Sequence, residues 1–155
     1  MKTILFVYGP GGHREQSKRL LSYNTNNDKI IEITEFGVDQ INKRNKCYKT
    51  LPYKTKKRIN PINIILSTLY LAPLSLFILI KHRPSKVITT GPIIAVIPIF
   101  LSKFLGIETI FIETWSRFYS YSSTGKILRK VASKVLVQNE ELRRIYLNSI
   151  YCGRL

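Results

Sequence analysis

Between Gln40 and Ile107 the chain contains no aspartate or glutamate. The cations of that stretch therefore have no local counter-charge. They are Lys43, Arg44, Lys46, Lys49, Lys54, Lys56, Lys57 and Arg58, followed by Lys81, Arg83, Lys86 and Lys103. Cysteine is scarce as well. Cys47 and Cys152 lie far apart, with neither metal-ligand spacing nor a disulfide framework. They read as ordinary thiols of a reducing compartment, which points to the cytoplasm. No signal peptide is expected: the run Ile4-Leu5-Phe6-Val7-Tyr8 is too short for a signal-peptide core, and no small-residue cleavage site follows it. The sequence has no internal repeat, no low-complexity tract and no cluster of metal ligands.

What is present suits one folded domain over residues 1–155, since 45% of the residues are apolar and the length suffices for a core. Lys and Arg number 25 against 9 Asp and Glu, a formal charge of +16. Such an excess implies an anionic partner: phospholipid, a phosphorylated substrate or nucleic acid. Two apolar segments, Ile62–Ile80 and Ile93–Leu105, lie among the cations. Basic groups flanking apolar helices match an anionic membrane surface, where each contributes about 1 kcal/mol; the alternative is a solvated basic loop beside two core helices. Ile62–Ile80 is barely long enough to span a bilayer. Asn63, Ser67, Thr68, Pro73 and Ser75 dilute it, and a crossing there would split the domain, so a buried or interfacial helix is expected. Nucleic acid is disfavoured, because there is no aromatic platform motif or recognition-helix pattern.

Strand and helix signals alternate. Thr3–Tyr8 predicts a buried strand, Gly9–Gly12 a tight turn, Arg14–Leu21 a helix, Asn24–Asp28 a loop and Lys29–Thr34 a second strand. Asp39–Tyr53 reads as polar and irregular. Asn60 and Pro61 look like the cap and first turn of a helix running to about Lys81. Next come a strand at Lys86–Thr90, a helix at Ile94–Leu105 that Pro98 is expected to kink, and a strand at Thr109–Glu113. A polar, aromatic loop from Thr114 to Ser123 leads to a helix at Thr124–Ala132, a strand at Val135–Gln138 and a helix at Glu140–Leu147. The alternation implies parallel strands joined by right-handed crossovers: an α/β, Rossmann-like parallel sheet.

Candidate chemistry gathers where strands end, the edge at which open α/β sheets bind ligands. In Gly9-Pro10-Gly11-Gly12-His13 the glycines let backbone N–H groups approach a ligand closely, and the following helix N-terminus favours anions. The dinucleotide fingerprint is incomplete, because Arg14 stands where a third glycine belongs; Glu32 or Glu35 can imitate the ribose-binding acid. His13 can hydrogen-bond a phosphate or act as a base, whereas His82 reads as a solvated loop residue. Thr90 and Gly91 close another strand at the same edge. Glu113, Trp115 and Arg117 leave the next strand together; Glu113 can accept a proton from a sugar hydroxyl and Arg117 can pair with phosphate. Ser122-Ser123-Thr124-Gly125-Lys126 imitates the tail of a P-loop, but Tyr119 replaces the required upstream glycine, so an ATPase is disfavoured and Ser123 or Thr124 is expected to cap a helix.

Taken in order, the Gly9–His13 turn, Val87–Pro92, Phe111-Ile112-Glu113, Arg117, Ser122-x-Thr124-Gly125-Lys126, Val137-Gln138 and the ending Ile150–Leu155 resemble the Alg14 group, including the PssD-like and CpsF-like proteins of capsule and exopolysaccharide synthesis. The resemblance covers the whole chain. It implies the N-terminal, acceptor-side half of a GT-B glycosyltransferase, with the UDP-sugar held mainly by a separate Alg13- or PssE-like subunit and no metal or cofactor on this chain. It implies a lipid-diphosphate-linked saccharide as acceptor, with His13 and Glu113 as candidate catalytic residues. Gly9, Gly11, Gly12, Thr90, Gly91, Arg117, Ser122, Thr124, Gly125 and Gln138 are the candidate substrate contacts. Two departures stand out. Eukaryotic members carry an N-terminal membrane anchor, whereas here the first strand starts at once, which points to a bacterial-type protein held peripherally on the cytoplasmic face of the plasma membrane. The second is Asn139, which follows Gln138 where the family pattern has an aromatic residue. The rival readings are a self-sufficient nucleotide-binding enzyme and a membrane tether with no part in the active site.

Overall fold

A computed structural model of the protein describes residues 2–24, 28–55, 58–59 and 61–154. The expected helix cap Asn60 and part of the expected loop at Asn24–Asp28 lie outside those residues. The elements in chain order are β1 (Thr3–Val7), α1 (Gly12–Ser22), β2 (Lys29–Glu35), β3 (Lys46–Thr50), a small antiparallel pair of β4 (Lys54–Thr55) and β5 (Arg58–Ile59), and α2 (Pro61–His82). Then follow β6 (Lys86–Thr89), a 3-10 turn at Ile93–Ala95, α3 (Val96–Phe104), β7 (Glu108–Ile112), α4 (Gly125–Val131), β8 (Lys134–Val137), a 3-10 turn at Glu140–Arg144 and β9 (Ile150–Tyr151).

Seven strands form one sheet in the order β3-β2-β1-β6-β7-β8-β9, and every neighbouring pair is parallel. The expected Rossmann-like α/β sheet is what the chain adopts. Strand addition reverses between β1 and β6, and the loops after those two strands stand at the topological switch point where open α/β sheets bind ligands. On one face Leu5, Val7, Ile31, Ile33, Val87 and Phe111 pack with Leu71, Ile78, Leu79, Ile99 and Leu128 of α2, α3 and α4. On the other, Phe6, Tyr8 and Ile30 pack with Leu20 and Leu21 of α1 and with Val38 and Ile41. The period-2 alternation of β1 supplies one side chain to each core in turn.

The structure departs from or sharpens the expectations at several points. The stretch Asp39–Tyr53 is not irregular throughout, because Lys46–Thr50 pairs with β2 as an edge strand, Ile33 lying opposite Tyr48; its lysines are tolerated where one side of the strand stays open to water. The expected helix Ile94–Leu105 is divided into the 3-10 turn Ile93–Ala95 and α3 from Val96, which places Pro98 in the first turn of α3, where a missing N–H costs no intrahelical bond. The expected helix Glu140–Leu147 is only a 3-10 turn at Glu140–Arg144, after which the chain turns back to add β9, a strand that the sequence reading missed. The helix expected to be buried or interfacial, α2, has one buried and one exposed apolar face, with Leu71, Ile78 and Leu79 in the core. Ile65, Leu66, Leu69, Tyr70, Leu76, Phe77 and Ile80 are all exposed along it, while Ser67 and Ser75 point inward and are buried.

By length and composition Ile64–His82 could cross a membrane, and only 28% of that stretch is buried. The topology argues otherwise. α2 connects β3 to β6 within a single parallel sheet, so it returns the chain from one sheet edge to the other and cannot also carry it through a bilayer.

Candidate functional site

Gly9 sits where the loops after β1 and β6 touch: a Cβ there would lie 3.0 Å from Pro92 Cβ. Gly91 has φ +90 and a Cβ on it would meet the Phe111 ring edge at 2.8 Å, so both turns need glycine for close approach. Thr89 donates its hydroxyl to the Val7 carbonyl at 2.8 Å and accepts the Gly91 N–H at 3.1 Å. Between the same two loops, His13 Nδ1 donates to the Thr90 carbonyl at 2.8 Å, and the Thr90 hydroxyl donates to the His13 carbonyl at 3.1 Å. A carbonyl only accepts, so Nδ1 carries the proton and the neutral ring has its lone pair on Nε2. Gly11 (φ +64) and Gly12 are exposed, with no atom within 4 Å of a Cβ position. The N-cap of α1 is Gly11, which offers no side chain to cap the helix, so an anion can take that place.

Glu113 follows β7 directly but is turned inward, with 1% of its surface exposed. One oxygen accepts the Thr114 N–H at 2.9 Å. The other accepts the Ser122 N–H at 3.2 Å, the Ser122 hydroxyl at 3.0 Å and the Tyr146 hydroxyl. Gly125 closes this cluster: a Cβ there would collide with the Tyr146 hydroxyl and with Glu113 Oε2, and would lie 2.7 Å from Ser122 Oγ. Burial and the adjacent Glu113 carboxylate raise the pKa of Tyr146 well above the usual phenol range, which keeps its hydroxyl a donor.

An amide pair joins α1 to the loops after β7 and β8. Gln16 and Gln138 are both buried. Gln138 Nε2 donates to the Glu113 carbonyl at 2.9 Å and to Gln16 Oε1 at 2.7 Å, and Gln16 Nε2 donates to Thr114 Oγ1 at 3.1 Å. Asn139 uses its amide to hold the Trp115 carbonyl at 2.9 Å and the Arg117 carbonyl. Trp115 in turn lies under the Arg19 guanidinium, 4.9 Å from the ring centroid. The Arg117 side chain is exposed and donates to Ser120 Oγ at 3.3 Å.

Residues 4–155 match the family described as "Oligosaccharide biosynthesis protein Alg14 like". The chain belongs to that family. It is similar to the mouse UDP-N-acetylglucosamine transferase subunit ALG14, 25% identical over 179 residues, which cover 98% of this chain and 82% of the mouse protein. It is 27% identical to the human subunit of the same name over 99% of this chain and 82% of that protein. Among solved structures, MurG of Acinetobacter baumannii superposes with a TM-score of 0.67 at 12% identity, over 99% of this chain and 44% of MurG. UDP-N-acetylglucosamine 2-epimerase of Rickettsia bellii gives 0.69 at 15%, over 95% and 41%. The Alg14-like chain thus spans less than half the length of these structures, and its fold is equivalent to one half of a GT-B-type molecule.

Within the Alg14-like chain the expected site residues divide into two groups. Gly11, Gly12, His13 and Arg117 are exposed or half-exposed at the strand-end edge, and Thr124 is half-buried there with no capping bond. Glu113, Gln138 and Gly125 are buried, and Ser122 is committed to Glu113 while its Oγ accepts the Gly125 N–H at 2.9 Å. Ser122, rather than Ser123 or Thr124, is therefore the hydroxyl that serves the start of α4. Glu32, considered as a ribose-binding acid, is also sealed in. It accepts from Tyr8, from the Ile41 N–H at 2.9 Å and from Asn45 at 2.6 Å, which leaves it no oxygen for a ribose. The sequence reading missed Gln16, Ser17, Thr114 and Tyr146, and noted Asn139 only as a departure from the family pattern. One signal was available: His13, Gln16 and Ser17 form a polar i, i+3, i+4 face on a helix that must dock against a sheet.

Proposed function

We propose that this chain is the membrane-associated, acceptor-binding and recruiting subunit of a two-component glycosyltransferase, with residues 1–155 forming one acceptor-side domain. The enzyme transfers a sugar from a UDP-sugar to a lipid-diphosphate-linked saccharide, in capsule or exopolysaccharide synthesis. One observation carries this reading: an Alg14-like family match over the whole chain coincides with a half-molecule fold whose switch-point loops present His13 and the open start of α1. The donor-binding wall is assigned to an Alg13- or PssE-like partner.

In this reading the Gly11 and Gly12 N–H groups face the acceptor diphosphate, with Arg117 as a second phosphate contact. The acceptor hydroxyl oxygen attacks the anomeric carbon of the donor, UDP leaves, and His13 Nε2 takes the hydroxyl proton. Glu113 holds the Thr114–Ser122 loop rather than acting as a base. The exposed apolar row of α2, which ends on Lys81 and Arg83, and the exposed Phe100, Phe104, Leu105 and Lys103 of the adjoining α3 and the turn after it support peripheral attachment to an anionic leaflet on the cytoplasmic side, with α2 lying in the interface.

The test is co-expression with the partner and an assay of sugar transfer to a lipid-linked acceptor. His13→Ala is expected to lower turnover about 100-fold with the complex intact. Unchanged turnover would favour the second reading, a tether outside the active site, which the sealed environment of Glu113 also supports. Leu69→Asp with Phe77→Asp is expected to abolish flotation with phosphatidylglycerol vesicles.

A further inference from the structure

The polarity of the buried amide chain follows from its end. The Glu113 carbonyl can only accept, so Gln138 must present its NH2 group to it. The second hydrogen of that group then meets Gln16 Oε1, and Gln16 in turn has only its NH2 left for Thr114. Thr114 Oγ1 continues the chain to Ser116 Oγ at 3.2 Å. Flipping either amide would set donor against donor or acceptor against acceptor in a place with no water to rescue it, since Gln16 is 0% and Gln138 1% exposed. The chain therefore has one arrangement, and it ties together the start of α1, the loop after β7 and the loop after β8.

Gln16 lies three residues after His13 on the same helix face, with Ser17, 3.4 Å from the Thr90 hydroxyl, beside it. At its other end the amide chain meets Thr114, the first residue of the segment that carries Arg117. We infer that Gln16 and Gln138 are a positioning pair, which sets where His13 stands relative to the loop bearing Arg117 and so aligns the two acceptor contacts. Neither amide touches a ligand; both act through the elements they join. The inference rests on the proposed role of His13 in sugar transfer.

The chain has two histidines, which makes the test readable. In the full chain labelled with 15N-histidine, the wild-type His13 ring is expected in its Nδ1–H form. His82, whose Nε2 is 2.8 Å from the Tyr48 hydroxyl near the end of α2, reports folding independently. Gln16→Met and Gln138→Met keep the side-chain length and remove the amide. Each is expected to change the His13 ring pattern, leave His82 unchanged, and lower kcat of the reconstituted pair roughly 10- to 100-fold with KM for the acceptor within about threefold. An unchanged His13 pattern with kcat within about twofold overturns the inference. If the His82 signals of either variant are lost, Thr114→Val decides instead. It removes the bonds of Thr114 to Gln16 and to Ser116 and leaves the Gln16–Gln138 bond in place, and a drop in kcat at constant KM supports the pair while unchanged kcat overturns it. Absence of transfer by the wild-type pair would sink the proposed function, and the ring pattern would still decide the positioning.

Discussion

Glu32 and Glu113 occupy comparable places in the sheet, one within β2 and the other just past the end of β7. Both are buried, and both accept a hydrogen bond from a tyrosine hydroxyl, Tyr8 for Glu32 and Tyr146 for Glu113. Their remaining donors differ in origin. Those of Glu32 come from Ile41, Asn42 and Asn45, all in one loop between β2 and β3. Those of Glu113 come from Thr114 and Ser122, while Gly125 closes the cluster and Tyr146 reaches in from beyond β8. A buried carboxylate can thus fold a loop locally or lock several segments together. Here the second kind is tied to the helix of His13 through the Glu113 carbonyl, Gln138 and Gln16.

The largest expected effect falls on the closing glycine. Gly125→Ala drives a methyl group into Tyr146, Glu113 and Ser122 and should cost about 2–3 kcal/mol, measured by urea unfolding, with sugar transfer lost as well. Next come the two acids themselves. Glu113→Gln and Glu32→Gln each set an amide donor against buried donors, at about 2 kcal/mol. Only Glu113→Gln is expected to lower turnover beyond what its loss of stability explains; equal effects on turnover would erase the distinction drawn between the two sites. Removing one hydroxyl is milder. Tyr146→Phe and Tyr8→Phe should each cost about 1 kcal/mol, again with turnover affected mainly at Tyr146.

The smallest effect belongs to neither acid but tests the opposite end of the sheet. Burial, followed by the charges of Lys46, Lys29 and Lys81, lowers the pKa of His82 below its usual value. The unfolded chain then binds more protons than the folded one between the folded pKa and about 6.5. The stability from neutral His82 is therefore present above about pH 6.5 and is lost as pH falls towards the folded pKa. His82→Gln should flatten a small decline in Tm between neutral and mildly acidic pH.

The architecture was legible in the sequence because its signals are local. The apolar runs of β1, β2 and β7 and the glycine turns after β1 and β6 name themselves, and their order implies the parallel sheet. β3 was hidden because an edge strand tolerates lysines that read as loop, and β9 because two exposed residues carry no pattern. In the site, His13 was legible beside its turn. The inward orientation of Glu113 was not, since it is set by Tyr146, 33 residues away, and Gln16 finds Gln138 only across 122 residues. At Asn139, where an aromatic residue was expected, an amide grips two carbonyls, a role that appears only when the loop after β7 is seen to lie against it.

The central strand has a consequence in time. β1 is flanked by β2 and by β6, and Val7 lies opposite Thr89, far along the chain. Pairings of such long separation close slowly. While the ribosome is still producing α2, β1 has a neighbour on one side only and the oily outer row of that helix is already emerging. The nascent chain must therefore hold an unfinished sheet and an exposed apolar helix together until Lys86–Thr89 arrives, an interval in which chaperone capture or early contact with a lipid surface would govern its yield.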